Sequence, residues 1–267
     1  MQLSYWNILL FFILPPIFVI ILLIGIRKRI AFVKNQYRHS FQLLIMVVII
    51  HVLIALIYTT PWDNYLVANN IWFYDPSKIS GIVLGYVPLE EYIFFIFQSL
   101  LTGFWTILIY ISIPNKTNSF VPNPKYNLLA AILFLPALVS LFNLIGGSDN
   151  KQYLSLILIW AFFPIFLQWI FGLDILIKNI RLFLLSLIPV TLYLWIIDTI
   201  AITNGIWHIN PDYILGISLS SLPMEEMVFF FVTNVIICSG IILMTDPESI
   251  IRVKSWIFSL NKRFKYQ

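Results

Sequence analysis

Seven runs of mostly apolar residues make up most of this 267-residue chain. Each is close to the roughly 20 residues that an α-helix needs to cross a bilayer. Inside lipid only helices and closed barrels satisfy their own backbone, and these runs are too long for barrel strands. They cover Trp6–Ile26, Phe41–Tyr58, Val87–Ile113, Tyr126–Ile145, Tyr153–Phe171, Leu182–Thr203 and Leu222–Met244. The expected fold is an all-α polytopic membrane helical bundle of about seven transmembrane helices. Composition leaves room for little else, with 60% of residues hydrophobic and 10% charged, unlike a soluble domain. One cysteine, Cys238, excludes an intrachain disulfide. No soluble domain with a basic face is present to bind nucleic acid.

Basic residues collect on the cytoplasmic side of membrane proteins. Arg27, Lys28, Arg29, Lys34 and Arg38 follow the first span, Lys116 and Lys125 the third, and Lys178 and Arg181 the fifth. Arg252, Lys254, Lys262, Arg263 and Lys265 lie in the tail, so of 16 Lys and Arg only Lys78 and Lys151 fall on the other side. The bias puts the N-terminus outside and the C-terminus in the cytoplasm of a bacterial-type inner membrane. Because the charges follow the first span, a cleaved signal peptide is not expected. Pro15, Pro16, Pro136, Pro164 and Pro189 lie inside spans, where neighbours must satisfy the backbone groups they free. After Asp246-Pro247-Glu248, apolar and basic residues alternate as in a helix lying on the membrane surface.

One acidic signature occurs twice. Pro88-Leu89-Glu90-Glu91-Tyr92-Ile93-Phe94-Phe95 and Pro223-Met224-Glu225-Glu226-Met227-Val228-Phe229-Phe230 share the pattern P-x-E-E-x-x-F-F, 135 residues apart. The same shift aligns Asp63 with Asp198, Asn69 with Asn204, Ile71-Trp72 with Ile206-Trp207, Pro76 with Pro211, Gly81 with Gly216 and Leu84 with Leu219, without a gap. Internal repeats fix architecture. Spans one to three and five to seven form two three-helix repeats, and the odd linker span between them makes the repeats parallel, related by an axis along the membrane normal. The chain thus divides into a first repeat (1–113), a linker with the fourth span (114–152), a second repeat (153–244) and a basic amphipathic cytoplasmic tail (245–267). Both acidic motifs then sit at one depth, where four carboxylates converge on one cavity.

Ionisable residues inside a membrane are costly and mark functional sites. A helix start favours a carboxylate, whereas burial and the adjacent like charge favour keeping a proton. A mixed pair, one acid and one carboxylate, is the apparatus of general acid–base catalysis. Glu90, Glu91, Glu225 and Glu226 are the candidate catalytic residues. Glu91, Phe95, Gln98 and Thr102 fall on one helical stripe, as do Glu226, Phe230 and Thr233, so the second glutamate of each pair is expected to face inward. Phe94, Phe95, Phe229 and Phe230 are candidate substrate-binding residues whose faces can stabilise a cation. Asp198, in an apolar stretch, is either a proton relay to a glutamate or a structural hydrogen-bond partner; its mate Asp63 falls at the mouth of span two. Trp72 and Trp207 read as interfacial belt residues. His51 and His208 are isolated and receive no ligand role. No dinucleotide fingerprint, phosphate loop or metal-ligand spacing is present, so neither cofactor nor metal is expected.

Two P-x-E-E motifs, each opening a membrane helix in a tandem repeat, resemble the heterodimer-type lycopene cyclases of bacteria, archaea and fungi, here with both halves fused. The resemblance covers about Met1 to Met244, without the fused phytoene synthase domain of the fungal proteins. It implies that Glu90, Glu91, Glu225 and Glu226 act in a redox-neutral, acid-initiated cyclisation. The substrate it implies is a lipophilic polyene, lycopene or a related carotenoid, held among membrane lipids, and association with other carotenoid enzymes is a further expectation. A proton-coupled transporter and a non-catalytic scaffold are the alternatives. The transporter would need a polar path that the span centres, poor in Ser, Thr, Asn and Arg, do not offer.

Overall fold

In the computed structural model of the chain, residues 3–33, 41–113, 129, 132, 135–145 and 149–264 are described. A helical turn at Tyr5–Ile8 (α1), a π-helical turn at Leu9–Ile13 and α2 (Leu14–Val33) form one rod. Ser4 caps it, in a reciprocal box with Asn7. The other helices are α3 (Phe41–Ala68), α4 (Leu89–Ser112), α5 (Leu135–Ile145), α6 (Gln152–Lys178), α7 (Ile180–Thr203), α8 (Met224–Thr245) and α9 (Pro247–Phe264). Among the described residues six helical segments are long and apolar enough to cross a membrane. They are Tyr5–Lys28, Phe41–Ala68, Leu89–Ser112, Gln152–Lys178, Ile180–Thr203 and Met224–Thr245. The span expected over 126–145 falls partly outside the described residues; its described part includes α5. The second span runs on through Pro61 to Ala68 instead of stopping at Tyr58, so Asp63 lies inside a helix and not at its mouth.

Helices α4 and α8 occupy the centre of the bundle. Their most apolar windows are 56% and 72% buried, against 28–44% for the other four spans. They meet through polar pairs that join equivalent or nearly equivalent positions of the repeat. Gln98 Nε2 donates to Thr233 Oγ1 at 3.1 Å, Thr102 Oγ1 donates to Asn234 Oδ1 at 2.8 Å, and Thr106 Oγ1 lies 3.5 Å from Cys238 Sγ. In lipid such interhelical bonds supply contact that the hydrophobic effect cannot.

Proline sets the next layer. Pro16 and Pro164 each leave the carbonyl four residues earlier without its helical donor. Those carbonyls belong to Phe12 and Trp160. Tyr193 of α7 donates its hydroxyl to the first at 2.5 Å, and Tyr58 of α3 donates to the second at 2.8 Å. The two tyrosines are themselves repeat mates, so each proline kink is stitched to the helix of the other repeat.

The polar connections form a cap of short strands. β1 (Trp72–Tyr74) pairs antiparallel with β4 (Trp207–Ile209) in the register Trp72↔Ile209, Phe73↔His208, Tyr74↔Trp207. This ladder ties one repeat to the other, and the Lys78 ammonium adds donors to the Asn204 and Gly205 carbonyls. Two small hairpins, β2 (Val83–Leu84) with β3 (Val87–Pro88) and β5 (Ser218–Leu219) with β6 (Leu222–Pro223), lead into α4 and α8. At the other end α9 is clamped to α6. Arg252 Nη2 is 2.6 Å from Asp174 Oδ2, and Lys178 pairs with Glu248.

Candidate active site

The acidic motifs are built from the hairpins inward. Pro88 and Pro223 stand at the N-caps of α4 and α8 with φ of −68° and −62°, where the missing N–H costs nothing. Each hairpin then folds back over the helix start. Leu89 N–H donates to Ile82 O and Met224 N–H to Ile217 O, both at 2.9 Å. The first glutamate of each pair fastens this loop. Glu90 Oε1 accepts Ser80 N–H at 2.5 Å, and Glu225 Oε1 accepts Leu215 N–H at 2.8 Å. The reversal at each hairpin puts Gly85 and Ser220 at φ of +68° and +58°. An added Cβ on Gly85 would meet Asn64 Oδ1 at 2.3 Å, so a side chain there would have to displace the oxygen that accepts Tyr86 N–H.

The second glutamates point the other way, into the bundle. Glu91 Oε2 accepts the hydroxyl of Tyr5, and Glu226 Oε1 that of Tyr153, each at 2.5 Å. Tyr5 and Tyr153 open the first and fifth spans, so each repeat brings its own phenol to its own acid. Asp198, 1% exposed, accepts Trp207 Nε1–H on Oδ1 at 2.8 Å. Asp63 is also 1% exposed. Glu91 lies near enough to Asp63, Asp198 and Glu226 for its charge to act on each. Burial, with the Asp63 and Glu91 carboxyls nearby, pushes the Tyr74 hydroxyl in the cap well above its usual value, so it stays neutral. Among the described residues no group of three or more His, Cys, Asp or Glu side chains is arranged to hold a metal ion.

Aromatic rings wall this cluster. Phe94 and Phe230 meet edge to face at 6.1 Å, and Phe229 and Phe230 at 5.3 Å. Trp62 stacks on Trp160 at 4.9 Å and on Phe229 at 5.6 Å, and Tyr5 tilts against Trp207 at 4.9 Å. Two apolar grooves enter from the lipid side. One of about 230 Å³ is lined by Tyr58, Thr59, Phe95, Trp160, Pro164 and Phe229, among others. The other, about 280 Å³, is lined by Pro16, Leu101, Trp105, Pro189, Val190 and Tyr193, among others. Their equivalent members, Tyr58 with Tyr193 and Pro164 with Pro16, show that they are mates of the repeat. An apolar, laterally open groove that reaches the aromatic wall through Phe95, Trp160 and Phe229 suits a greasy substrate.

Residues 4–110 and 150–244, which carry both acidic helix starts and both tyrosines, match the lycopene cyclase family. The chain belongs to that family. A lycopene beta-cyclase of Halobacterium salinarum is 38% identical over 195 residues, 71% of this cyclase and 78% of the archaeal protein. A bifunctional lycopene cyclase/phytoene synthase of Aspergillus oryzae is 35% identical over 196 residues, 72% of this cyclase and 33% of the fungal protein. One from Sporisorium reilianum is 36% identical over 200 residues, 70% of this cyclase and 29% of the fungal protein. No solved structure matches the cyclase.

One further sequence reading changes, and four aromatic residues were missed. Trp72 and Trp207 are not belt residues; they are 4% and 2% exposed. Strand residues alternate faces, and the β1–β4 register turns both indoles inward over the acids while Phe73 and His208 stack outside at 5.2 Å. Tyr5, Tyr153, Trp62 and Trp160 went unnoticed in the sequence. A signal exists for the tyrosines, because each stands the same distance ahead of a Pro-Ile-Phe tripeptide, at Pro16-Ile17-Phe18 and Pro164-Ile165-Phe166. It lies at a different offset from the acidic motif, since the first and fifth spans are followed by connections of unequal length.

Proposed function

We propose that this cyclase is a lycopene β-cyclase that closes acyclic ψ ends of lycopene into β-ionone rings, giving β- or γ-carotene, with carboxyls buried in the membrane. The observation that carries the reading is a pair of buried glutamates, Glu91 and Glu226, each in the first turn of a central helix beneath one aromatic wall. A carboxylic acid donates its proton to the terminal double bond of the ψ end. The nearby internal double bond attacks the tertiary cation and forms the ring bond. The ring cation then loses a proton to a carboxylate. One proton enters and one leaves, so nothing is oxidised or reduced. Acid and base in one site supply a typical factor of about 10²–10⁴ each. Phe95 and Phe229 line the groove and Phe94 and Phe230 pack in the wall behind them; together these rings exclude water that would trap the cation and present faces to positive charge.

In this reading the inward glutamates, Glu91 and Glu226, do the chemistry. Glu90 and Glu225 hold the hairpins over the helix starts. The two matched segments are two parallel three-helix repeats with the linker span between them. Both acidic starts lie on the outer side of a bacterial-type inner membrane. The polyene, already dissolved in lipid, enters sideways through a groove.

The test is expression in a bacterium that accumulates lycopene, with pigments resolved by chromatography and mass spectrometry. Wild type is expected to give cyclic products of unchanged mass and shorter-wavelength absorption. Glu91→Gln and Glu226→Gln are expected to leave lycopene unconverted at unchanged protein level in the membrane. Full activity in both variants would remove the glutamates from the mechanism, and unchanged lycopene with wild type would end the substrate assignment.

A further inference from the structure

The repeat duplicates the acids but not their surroundings. In the second half Trp207 Nε1–H donates to Asp198 at 2.8 Å. Its mate Trp72 makes no such bond and its Nε1 is buried without a partner, so, while Oδ2 of both aspartates is buried and unpartnered, only Asp198 has an indole donor. Among the described residues no side chain donates to Asp63, which is 1% exposed. The walls differ too. Beside Asp63, Trp62 lies parallel to Phe229 at 5.6 Å with 10° between planes and stacks on Trp160, while Trp72 meets Phe229 edge-on at 6.3 Å. At the equivalent places in the other half, Ile197 stands for Trp62 and Phe12 for Trp160. Trp62 and Trp160 also have buried, unpartnered Nε1 atoms, so these rings are packed by their faces and not fixed by hydrogen bonds. The groove of about 230 Å³ reaches this chamber directly, since Trp160, Phe229 and Thr59, one turn before Asp63, line it.

We propose that Asp63 is the proton donor of the cyclisation and that the ring closes in the Trp62–Trp160–Phe229 chamber. This rests on the lycopene cyclase reading and extends it to a residue and a half of the repeat. A buried carboxyl with no donor to it is stable only in its neutral form, which is the form that gives up a proton. The O–H bond of Asp63 breaks as a C–H bond forms at the inner, less substituted carbon of the terminal double bond, which leaves the tertiary cation on the outer carbon. The electron pair of the internal double bond makes the ring bond. The ring proton leaves to Glu91, which Tyr5 holds as the acceptor, and its C–H pair becomes the new ring double bond. A proton passing from Glu91 to Asp63 restores the site. The indole faces of Trp62 and Trp160 and the ring of Phe229 surround the cation. In the other half Asp198 is occupied by Trp207 and has no such chamber.

The experiment compares Asp63→Asn, Asp63→Glu and Asp198→Asn in lycopene-accumulating cells and in purified membranes. Asp63→Asn is expected to cut ring formation by about 100-fold or more, Asp63→Glu to recover part of it, and Asp198→Asn, whose amide oxygen still accepts Trp207, to keep most of it. A second readout does not depend on turnover or on the variant's activity. The infrared carbonyl stretch of a protonated carboxyl is expected in wild type, absent in Asp63→Asn and retained in Asp198→Asn. An active Asp63→Asn, a loss in Asp198→Asn as large as that in Asp63→Asn, or a carboxyl band untouched by Asp63→Asn would overturn the assignment. Each of these leaves the cyclase reading standing if wild type makes cyclic product; unconverted lycopene with wild type would instead remove that reading.

Discussion

Glu90 and Glu91 are neighbours in sequence and opposites in role, because successive residues on a helix point about 100° apart. Glu90 meets a loop N–H and Glu91 meets the phenol of Tyr5. The doubling of the acidic motif was plain in the sequence, and so was the inward stripe of Glu91, Phe95, Gln98 and Thr102, all of them buried. The partners of the acids were not, since a hydroxyl 86 residues away leaves no local pattern. Two outcomes follow. Glu90→Gln keeps an oxygen that accepts Ser80 N–H and is expected to retain most activity, whereas Glu90→Ala loses the anchor and is expected to lower the yield of folded protein. Tyr5→Phe strips a donor from a buried acid, a change that costs about 1–3 kcal/mol. It is expected to lower the unfolding temperature in detergent and slow ring formation, read by thermal scanning and pigment analysis. A Glu90→Gln protein as inactive as Glu91→Gln would give the first glutamate a part in the chemistry.

At the scale of elements, hydrophobic run length located the described spans because lipid thickness sets a single length. It missed the end of α3, where Thr59, Thr60, Pro61 and Asp63 interrupt the apolar pattern. In its last turns Asp63 and Leu66 are buried and Trp62 stacks on Trp160 of α6, so protein and not lipid alone surrounds them. The cap strands were invisible for a related reason. A three-residue ladder such as β1–β4 is specified by its partner, not by its own propensity. What joins α4 to α8 is a line of polar pairs across the repeat axis, and its strength is open to measurement. A double-mutant cycle on Thr102→Val and Asn234→Leu, read by unfolding in detergent, is expected to give a coupling of about 0.6 kcal/mol, with about 1.7 as the upper end for such bonds. Asn234 also donates to Thr191 Oγ1 at 3.1 Å, so Asn234→Leu alone is expected to cost more than Thr102→Val alone. Additive single effects would mean that packing alone holds the two central helices together.

For the whole molecule, the arrangement of helix starts dictates which loops share a side of the membrane. Tyr5 reaches Glu91 and Tyr153 reaches Glu226, so the first, third, fifth and seventh spans all begin at the acidic level. The β1–β4 ladder lies over that level. The tail helix α9 packs on the far ends, through Arg252 to Asp174 and Trp256 edge-on to Phe171 at 5.6 Å. The proposed orientation, from charge bias, has the cap outside and α9 in the cytoplasm. Because Cys238 is buried, single introduced cysteines report orientation with little background. Ser77 and Asp212 are exposed in the two halves of the cap, and Ser255 is exposed on α9. In intact cells a membrane-impermeant thiol reagent is expected to label Ser77→Cys and Asp212→Cys, and to reach Ser255→Cys only after permeabilisation. Labelling of Ser255→Cys alone would turn the molecule over and place the acids near the cytoplasmic face. Opposite behaviour of Ser77→Cys and Asp212→Cys would break the parallel relation of the repeats, and with it the single chamber that both acidic helices enclose.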